Sequence, residues 1–215
     1  MRLSSIMAAV ICIAAAVIVF SGNPASAVAQ VWAPVAAGVG IEAPGHSETP
    51  AEPVGTAQTA APMAKPSDVE SMDSIMAAVY DVISGPAGQK RDWDRMRSLF
   101  APGAHLIAVA PDKNGGFAAR SVDVDGYISR AAGYFEREGF FEKESARRTE
   151  SYGQIAQAFS TYESRHNSSD TEPFERGINS FQLMNDGKRW WVVNIFWEGE
   201  SAGTKIPEKY RTGKQ

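Results

Sequence analysis

The stretch "NDGKRWWVVNIFWEG" (Asn185–Gly199) joins a predicted hairpin turn to a long predicted strand. Asp186-Gly187 is a favoured pair for a two-residue type I′ turn. The run after the turn places three of the chain's five tryptophans within eight positions. Aromatic and β-branched residues are enriched in strands. The stretch therefore predicts the last hairpin of an antiparallel sheet, with both faces largely apolar.

A two-residue turn pairs Asn185 with Lys188 and so determines which side chains share a face. One predicted face carries Leu183 with Trp190, Phe181 with Val192, Asn179 with Asn194, and Gly177 with Phe196. The other carries Gln182 with Trp191, Ser180 with Val193, Ile178 with Ile195, and Arg176 with Trp197. A bulged turn would shift this register by one residue and exchange the faces of one strand.

The first of these faces is the more apolar and suits the domain core. There Asn179 and Asn194 would lie opposite each other, and burying an amide without a partner costs about 1–3 kcal/mol. The two amides must therefore bond each other, a water or a ligand.

The second face mixes aromatic residues with arginine, as protein interfaces do. It predicts a homodimer contact, formed by Arg176, Trp191, Ile195 and Trp197.

Helical periodicity marks three segments upstream of the four long strands. The first begins at a capping box of Ser67 and Glu70 and ends at Gly85. The second is short and has Asp92 as its cap. The third has Asp123 or Asp125 as its cap and ends at Gly139.

Strand periodicity marks the remaining segments of the domain. Two short strands flank the turn "PDKNGG" (Pro111–Gly116). Four longer strands follow the third helix, at Phe140–Ser151, Ile155–Arg165, Phe174–Met184 and Arg189–Glu198. Helices first and long strands after predict an α+β domain, with about three helices packed on one face of a curved antiparallel sheet.

The N-terminal region predicts export. Arg2 precedes an apolar run, and "NPASA" (Asn23–Ala27) fits a signal-peptidase site, so residues 1–27 are expected to be a signal peptide and the protein periplasmic or secreted. A retained anchor is the alternative. Residues 28–66 hold six of the twelve prolines and predict a disordered linker. The domain is expected over 67–210, with a C-terminal tail at 211–215.

Composition excludes several function classes. The only cysteine, Cys12, lies in the signal segment, so the rest of the chain has no thiol for a disulfide, nucleophile or metal ligand. The formal net charge of −4 gives no sign of nucleic-acid binding. His105 and His166 have no matched spacing for a metal, and no cofactor is expected.

Two segments carry a family resemblance: "WDRMRSLFAPGA" (Trp93–Ala104) and "RWWVV" (Arg189–Val193). Together with the preceding "DSIMAAVYDVISG" helix they resemble the NTF2-like superfamily, and within it the SnoaL-like or DUF4440-like bacterial proteins. The resemblance covers about residues 67–210. It implies a cone-shaped α+β fold, a pocket between sheet and helices, and frequent dimers through the outer sheet face.

The superfamily includes enzymes and non-enzymatic binders, so the resemblance leaves activity open. Dehydratase-like members need a histidine pair, and isomerase-like members need an aspartate on an inner strand position. Neither set transfers residue by residue to this chain. We therefore expect a domain that binds a small, mainly apolar molecule. The alternative is an isomerase- or dehydratase-type enzyme, with His105 as general base and Tyr80 or Tyr134 as donor.

The candidate ligand contacts are Tyr80, Tyr134, Asn179, Asn194 and Phe196. Core packing is the alternative role for the tyrosines, and a structural role is the alternative for His105. The charged run "EREGFFEKESARR" (Glu136–Arg148) alternates acids and bases, which favours a solvated surface with salt bridges.

Overall fold

The protein is described by a computed structural model over residues 62–201 and 203–214. The expected signal peptide and most of the predicted linker lie outside the described residues. Among the described residues, no helix is long and apolar enough to cross a membrane.

Four α-helices are present in the described chain, where about three were expected: α1 (Pro66–Val69), α2 (Met72–Ile83), α3 (Trp93–Leu99) and α4 (Val124–Arg137). The predicted first helix is broken after Val69, so the Ser67 cap is wrong. Ser71 caps α2 instead, with its hydroxyl accepting from Ser74 N at 3.0 Å.

The other predicted caps are present. Asp92 accepts from Arg95 N at 2.9 Å and begins α3, and Asp123 accepts from Gly126 N at 2.7 Å and begins α4.

Six strands form one sheet: β1 (Phe100–Pro111), β2 (Phe117–Asp123), β3 (Phe141–Tyr152), β4 (Ile155–Arg165), β5 (Glu175–Asn185) and β6 (Trp190–Gly199). Their order is β2-β1-β6-β5-β4-β3. The expected antiparallel pairing is wrong at one place, because β1 runs parallel to β6. No turn connects these two strands, so the local pattern carries no information about their direction.

The helices cover one face of the sheet, which we call the helix-facing face. Its core is built from apolar residues of all four described helices and of β1, β4, β5 and β6, among them Ile75, Phe135, Leu106, Phe181 and Ile195. The opposite side, the open face, carries exposed or half-buried apolar side chains, including Ile107, Phe159 and Phe196.

The turn between β5 and β6 is longer than predicted. Asn185 pairs with Trp190 instead of Lys188, and Asp186 N donates to Arg189 O at 3.1 Å. Gly187 lies at its tip with φ +89°, a left-handed conformation that glycine adopts without strain. This change moves the register by two residues, which leaves the faces near the turn unchanged.

A β-bulge further along β6 does exchange the faces. Leu183 pairs with Val192, but its neighbour Gln182 pairs with Asn194, so Val193 is an extra residue. Beyond Val193 the predicted pairing of β5 with β6 is wrong by three residues, and the β6 side chains point to the faces opposite to those predicted.

The bulge therefore reverses four predicted placements. Ile195 and Trp197 enter the core at 0% and 4% exposure, whereas Asn194 and Phe196 lie on the open face.

The bulge predicts that two neighbouring aromatic residues contribute very differently to the free energy of unfolding. Trp197→Ala is expected to lower the free energy of unfolding by about 3–5 kcal/mol, because it leaves a cavity in the core. Phe196→Ala, at a position 43% exposed, is expected to cost less than about 1 kcal/mol in the monomer. Urea unfolding of both variants measures the difference. Equal losses, or a larger loss for Phe196→Ala, would contradict the bulge.

Candidate functional site: a buried polar cluster beside a groove

A cluster of polar side chains interrupts the apolar core on the helix-facing face. Glu142 and Glu144 of β3 meet three shorter polar residues of the neighbouring strands: Ser160, Ser164 and Asn179. Tyr80 enters this cluster from α2. The cluster is almost entirely shielded from solvent: Glu142 is 4% exposed, and Ser160, Ser164 and Asn179 are each 0% exposed.

Hydrogen bonds run continuously from the tyrosine to Glu144. The Tyr80 and Ser160 hydroxyls are 2.7 Å apart, and the Ser160 hydroxyl donates to Glu144 Oε1 at 2.7 Å. Arg147 adds an ion pair, with its Nε 2.9 Å from the same oxygen and Nη2 3.1 Å from Oε2. A buried carboxylate is stable only when it is paired and hydrogen-bonded, and Glu144 meets both conditions.

Glu142 accepts from a different set of donors. The Ser164 hydroxyl donates to its Oε2 at 2.8 Å, and Asn179 Nδ2 donates to its Oε1 at 3.3 Å. The same Asn179 nitrogen lies 3.1 Å from the Tyr80 hydroxyl, so this amide links the two carboxylates of the cluster through the tyrosine.

A β-bulge in β3 brings Arg147 onto the same face as Glu144. Glu144 pairs with Tyr162 and Ala146 with Thr161, so Ser145 is an extra residue. In a regular strand, residues three apart point to opposite faces. Arg147 also reaches the surface, where its Nη2 lies 2.7 Å from Asp73 Oδ1 of α2.

The environment of Tyr80 keeps its phenol neutral. Burial, and then the charge on Glu142, raise the pKa of Tyr80 above its ordinary value of about 10. Because the folded protein favours the neutral phenol, Tyr80 contributes to folding stability most fully below the pKa that it has in the unfolded chain. This contribution is lost as the pH rises through the higher pKa of Tyr80 in the folded protein.

A groove of about 810 Å³ lies between α2 and β3 and reaches this cluster. Its volume is within the range of small-molecule sites. Most of the described residues that line it have charged or hydroxyl side chains: five acids (Asp73, Asp81, Glu142, Glu144, Asp170), four bases (Lys143, Arg147, Arg165, Lys214), four hydroxyl residues (Tyr80, Ser84, Ser168, Thr171) and two apolar residues (Ala77, Phe141).

Two buried polar atoms near the centre of the sheet have no hydrogen-bond partner within the described part of the chain. They are Asn179 Oδ1, a carbonyl acceptor, and Trp197 Nε1, an indole donor. Asn179 and Trp197 are directly paired across β5 and β6, so their side chains share the helix-facing face. Buried polar groups nearly always have partners, so this acceptor and this donor are exceptions in the sheet.

The structure brings together only part of the predicted ligand set. Tyr80 and Asn179 bond each other within the cluster, although their role as ligand contacts stays a prediction. Tyr134 lies on α4 with its ring packed on Phe135 and Phe140, and burial raises its pKa to about 12. The predicted opposition of Asn179 and Asn194 is wrong.

Histidine placement does not support the expected catalytic geometry. His105 is exposed and pairs with Asn194 on the open face, whereas the next residue, Leu106, enters the core. His105 is therefore on the opposite side of the sheet from Tyr80. No group of three or more metal-ligating side chains occurs in residues 62–201 and 203–214.

The predicted interface residues also divide between the two faces. Trp191 lies on the open side, where its Nε1 donates to Asp186 at 2.8 Å and Arg189 stacks on its ring at 3.6 Å. Arg176 is exposed and pairs with Glu200 at 3.1 Å. Ile195 and Trp197, placed there by the predicted register, lie in the core, and this part of the prediction is wrong.

Sequence reasoning missed Glu142, Glu144 and Arg147. The alternating charges of Glu136–Arg148 predict a solvated surface, but Glu142 and Arg147 are 4% and 5% exposed. A period of two through Glu142 and Glu144 was the available signal, because it places both carboxylates on one face of β3. The bulge that adds Arg147 leaves no comparable trace.

No family model matches the chain, and no curated protein matches it. Solved structures do match. An NTF2-like protein of unknown function from Shewanella baltica OS155 is 15% identical, with a TM-score of 0.41 over 60% of this chain and 91% of that one. An NTF2-like protein of unknown function from Silicibacter pomeroyi DSS-3 is 13% identical, with a TM-score of 0.39 over 61% and 94%.

A third similar structure is a protein of unknown function with a cystatin-like fold from Nostoc punctiforme PCC 73102. It is 13% identical, with a TM-score of 0.46 over 61% of this chain and 90% of that one. Two of these three proteins bear the superfamily name to which the sequence resemblance points.

The burial of Tyr80 predicts that its phenol stays un-ionised when the native protein is titrated and followed by absorbance. Up to about pH 11, native wild-type protein and Tyr80→Phe should develop the same tyrosinate absorbance, because burial holds Tyr80 neutral. In concentrated urea the variant should fall short by one of six tyrosines. A native-state shortfall near pH 10 would show that Tyr80 ionises freely and would contradict the buried cluster.

Proposed function

We propose that this protein is an exported binding module that holds a small polar molecule in the groove between α2 and β3 and performs no chemistry on it. The observation that carries the proposal is the buried cluster of Tyr80, Glu142, Glu144 and Asn179 beside that groove. Export rests on the signal-like residues 1–27, as predicted from the sequence.

The energetic cost of the cluster supports a role beyond stability. Replacing buried ionic groups with well-packed apolar residues is often neutral or stabilising. Apolar residues pack directly beside the cluster, for example Phe181, whose ring lies 6.0 Å from that of Tyr80, so apolar side chains could fill this part of the core. Two carboxylates, two serines and an amide in this position are therefore better explained by recognition of a polar molecule.

The composition of the groove changes the expected ligand. The sequence predicts a mainly apolar molecule, but only Ala77 and Phe141 contribute apolar side chains to the lining. The Tyr80 hydroxyl and the Glu142 and Glu144 carboxylates offer hydrogen-bonding groups to a molecule in the groove. A ligand with hydrogen-bond donors suits these acceptors.

Native mass spectrometry of the protein purified from its own source tests this function. The wild-type protein is expected to carry a retained small mass. Tyr80→Phe should retain less of it, because the variant removes a hydroxyl from the groove. Tyr134→Phe is the matched control and should retain as much as the wild type. Equal retention by both variants, or no retained mass in the wild type, would contradict binding at this groove.

Self-association through the open face is the second part of the proposal. Phe159, Phe196 and Ile107 occupy one row across β4, β6 and β1, joined through Ser180 of β5. Phe159 and Phe196 are 42% and 43% exposed. A second copy of this chain would bury this row, since exposed apolar groups collected on one surface favour protein contacts.

Light scattering on Phe196→Glu tests the contact, because a charge in this row should convert a dimer to a monomer. Phe117→Glu is a matched control: Phe117 is 63% exposed and pairs with Pro111, four residues or about 13 Å beyond Ile107 along the hairpin. It should leave the oligomeric state unchanged. A dimer that survives Phe196→Glu would rule out this face.

A further inference from the structure

The C-terminal strap, residues 206–214, connects the open face to the groove. On the open face, the Tyr210 ring packs edge-on against Phe159 at 5.5 Å, and the Tyr210 carbonyl accepts from the Thr161 hydroxyl. These contacts attach the strap to β4, although the sequence predicts only a tail after residue 210.

The strap then passes the edge of β3. Gly213 has φ +80°, where a residue with a side chain would be strained, and its carbonyl accepts from Arg147 N at 2.9 Å. Lys214 continues as a parallel bridge to Arg147. This turn delivers the Lys214 ammonium to the groove, where its Nζ lies 2.7 Å from Glu144 Oε2.

The two partners of this contact differ sharply in exposure. The Glu144 side chain is 7% exposed, whereas the Lys214 side chain is 60% exposed and enters from the surface. Glu144 Oε1 is used by the Ser160 hydroxyl and Arg147 Nε. The other oxygen, Oε2, accepts from Arg147 Nη2 at 3.1 Å and also receives the ammonium. A buried carboxylate oxygen thus binds a primary ammonium that reaches it from outside.

Charge in the groove favours a cation once Lys214 leaves. The lining has five acids and four bases, a net charge of −1, and removing Lys214 makes it −2. Both arginines of the lining already have carboxylate partners, Arg147 with Glu144 and Asp73, and Arg165 with Glu163. The groove therefore suits an organic cation better than a carboxylate or a phosphate.

We infer that the groove binds the ammonium group of a small organic amine at Glu144, and that Lys214 is a tethered occupant of the same position. The inference rests on the proposed binding function and adds its ligand class and its regulation. Release of the strap exposes the acceptor, and an amine that binds there displaces Lys214. Only protein with a released strap can bind the amine at Glu144. The apparent affinity for the amine is therefore the intrinsic affinity multiplied by the fraction of protein in which the strap is released.

Titration with benzylammonium at low ionic strength tests the inference on the folded full-length chain, with benzyl alcohol as the neutral match. Lys214→Gln is expected to bind benzylammonium about three- to fivefold more tightly than the wild type, the effect of losing one partly exposed ion pair. Gly213→Val keeps Lys214 but disrupts its turn, and it should tighten binding similarly. Lys214→Arg should match the wild type.

Glu144→Gln should abolish the preference for benzylammonium over benzyl alcohol, and circular dichroism checks that this variant is folded. Unchanged affinity in both Lys214→Gln and Gly213→Val would overturn the role of the strap. No binding of benzylammonium by any variant would overturn the amine class. Neither result would remove a retained mass in native mass spectrometry, so the binding function is judged separately.

Discussion

The ion pair between Glu144 and Arg147 depends on one extra residue in β3. Without the bulge at Ser145, the two side chains would lie on opposite faces of the sheet, and Glu144 would be a buried carboxylate without its arginine. Breaking a buried pair in this way costs about 3–5 kcal/mol. The polar cluster, the groove beside it and the contact with Lys214 all rest on this local change of strand period.

A second bulge, at Val193 in β6, determines the character of both faces of the sheet. It turns Ile195 and Trp197 inward and leaves Asn194 and Phe196 on the open face. The helix-facing face thus gains the aromatic residue that lies beside Asn179, and the open face gains part of its apolar row. The two bulges together separate the buried polar cluster from the apolar row of the open face.

Strand and helix positions could be predicted because hydrophobic period is a local property. β4 has the predicted bounds, and β3, β5 and β6 each differ by one residue at both ends. Register could not be predicted, since a single inserted residue reverses every later side chain and leaves no compositional mark. Helical periodicity placed Tyr80 on the inward side of its helix, and the regular period of β5 placed Asn179 on the helix-facing face. Asn194 and Phe196 were misplaced because they lie beyond the bulge in β6. Glu142 and Arg147 were missed because their burial depends on partners distant in sequence, and the strap was missed because its contacts with β3 and β4 are equally distant.

Entry of a small cation into the α2–β3 groove would bring it within reach of the buried cluster. The side-chain amide resonances of two asparagines test it most directly, because Asn179 lies in the cluster and Asn194 on the open face. On titration with benzylammonium, the Asn179 resonances are expected to shift and those of Asn194 to stay constant in an NMR spectrum. Shifts at Asn194 with none at Asn179 would contradict entry of the cation into this groove.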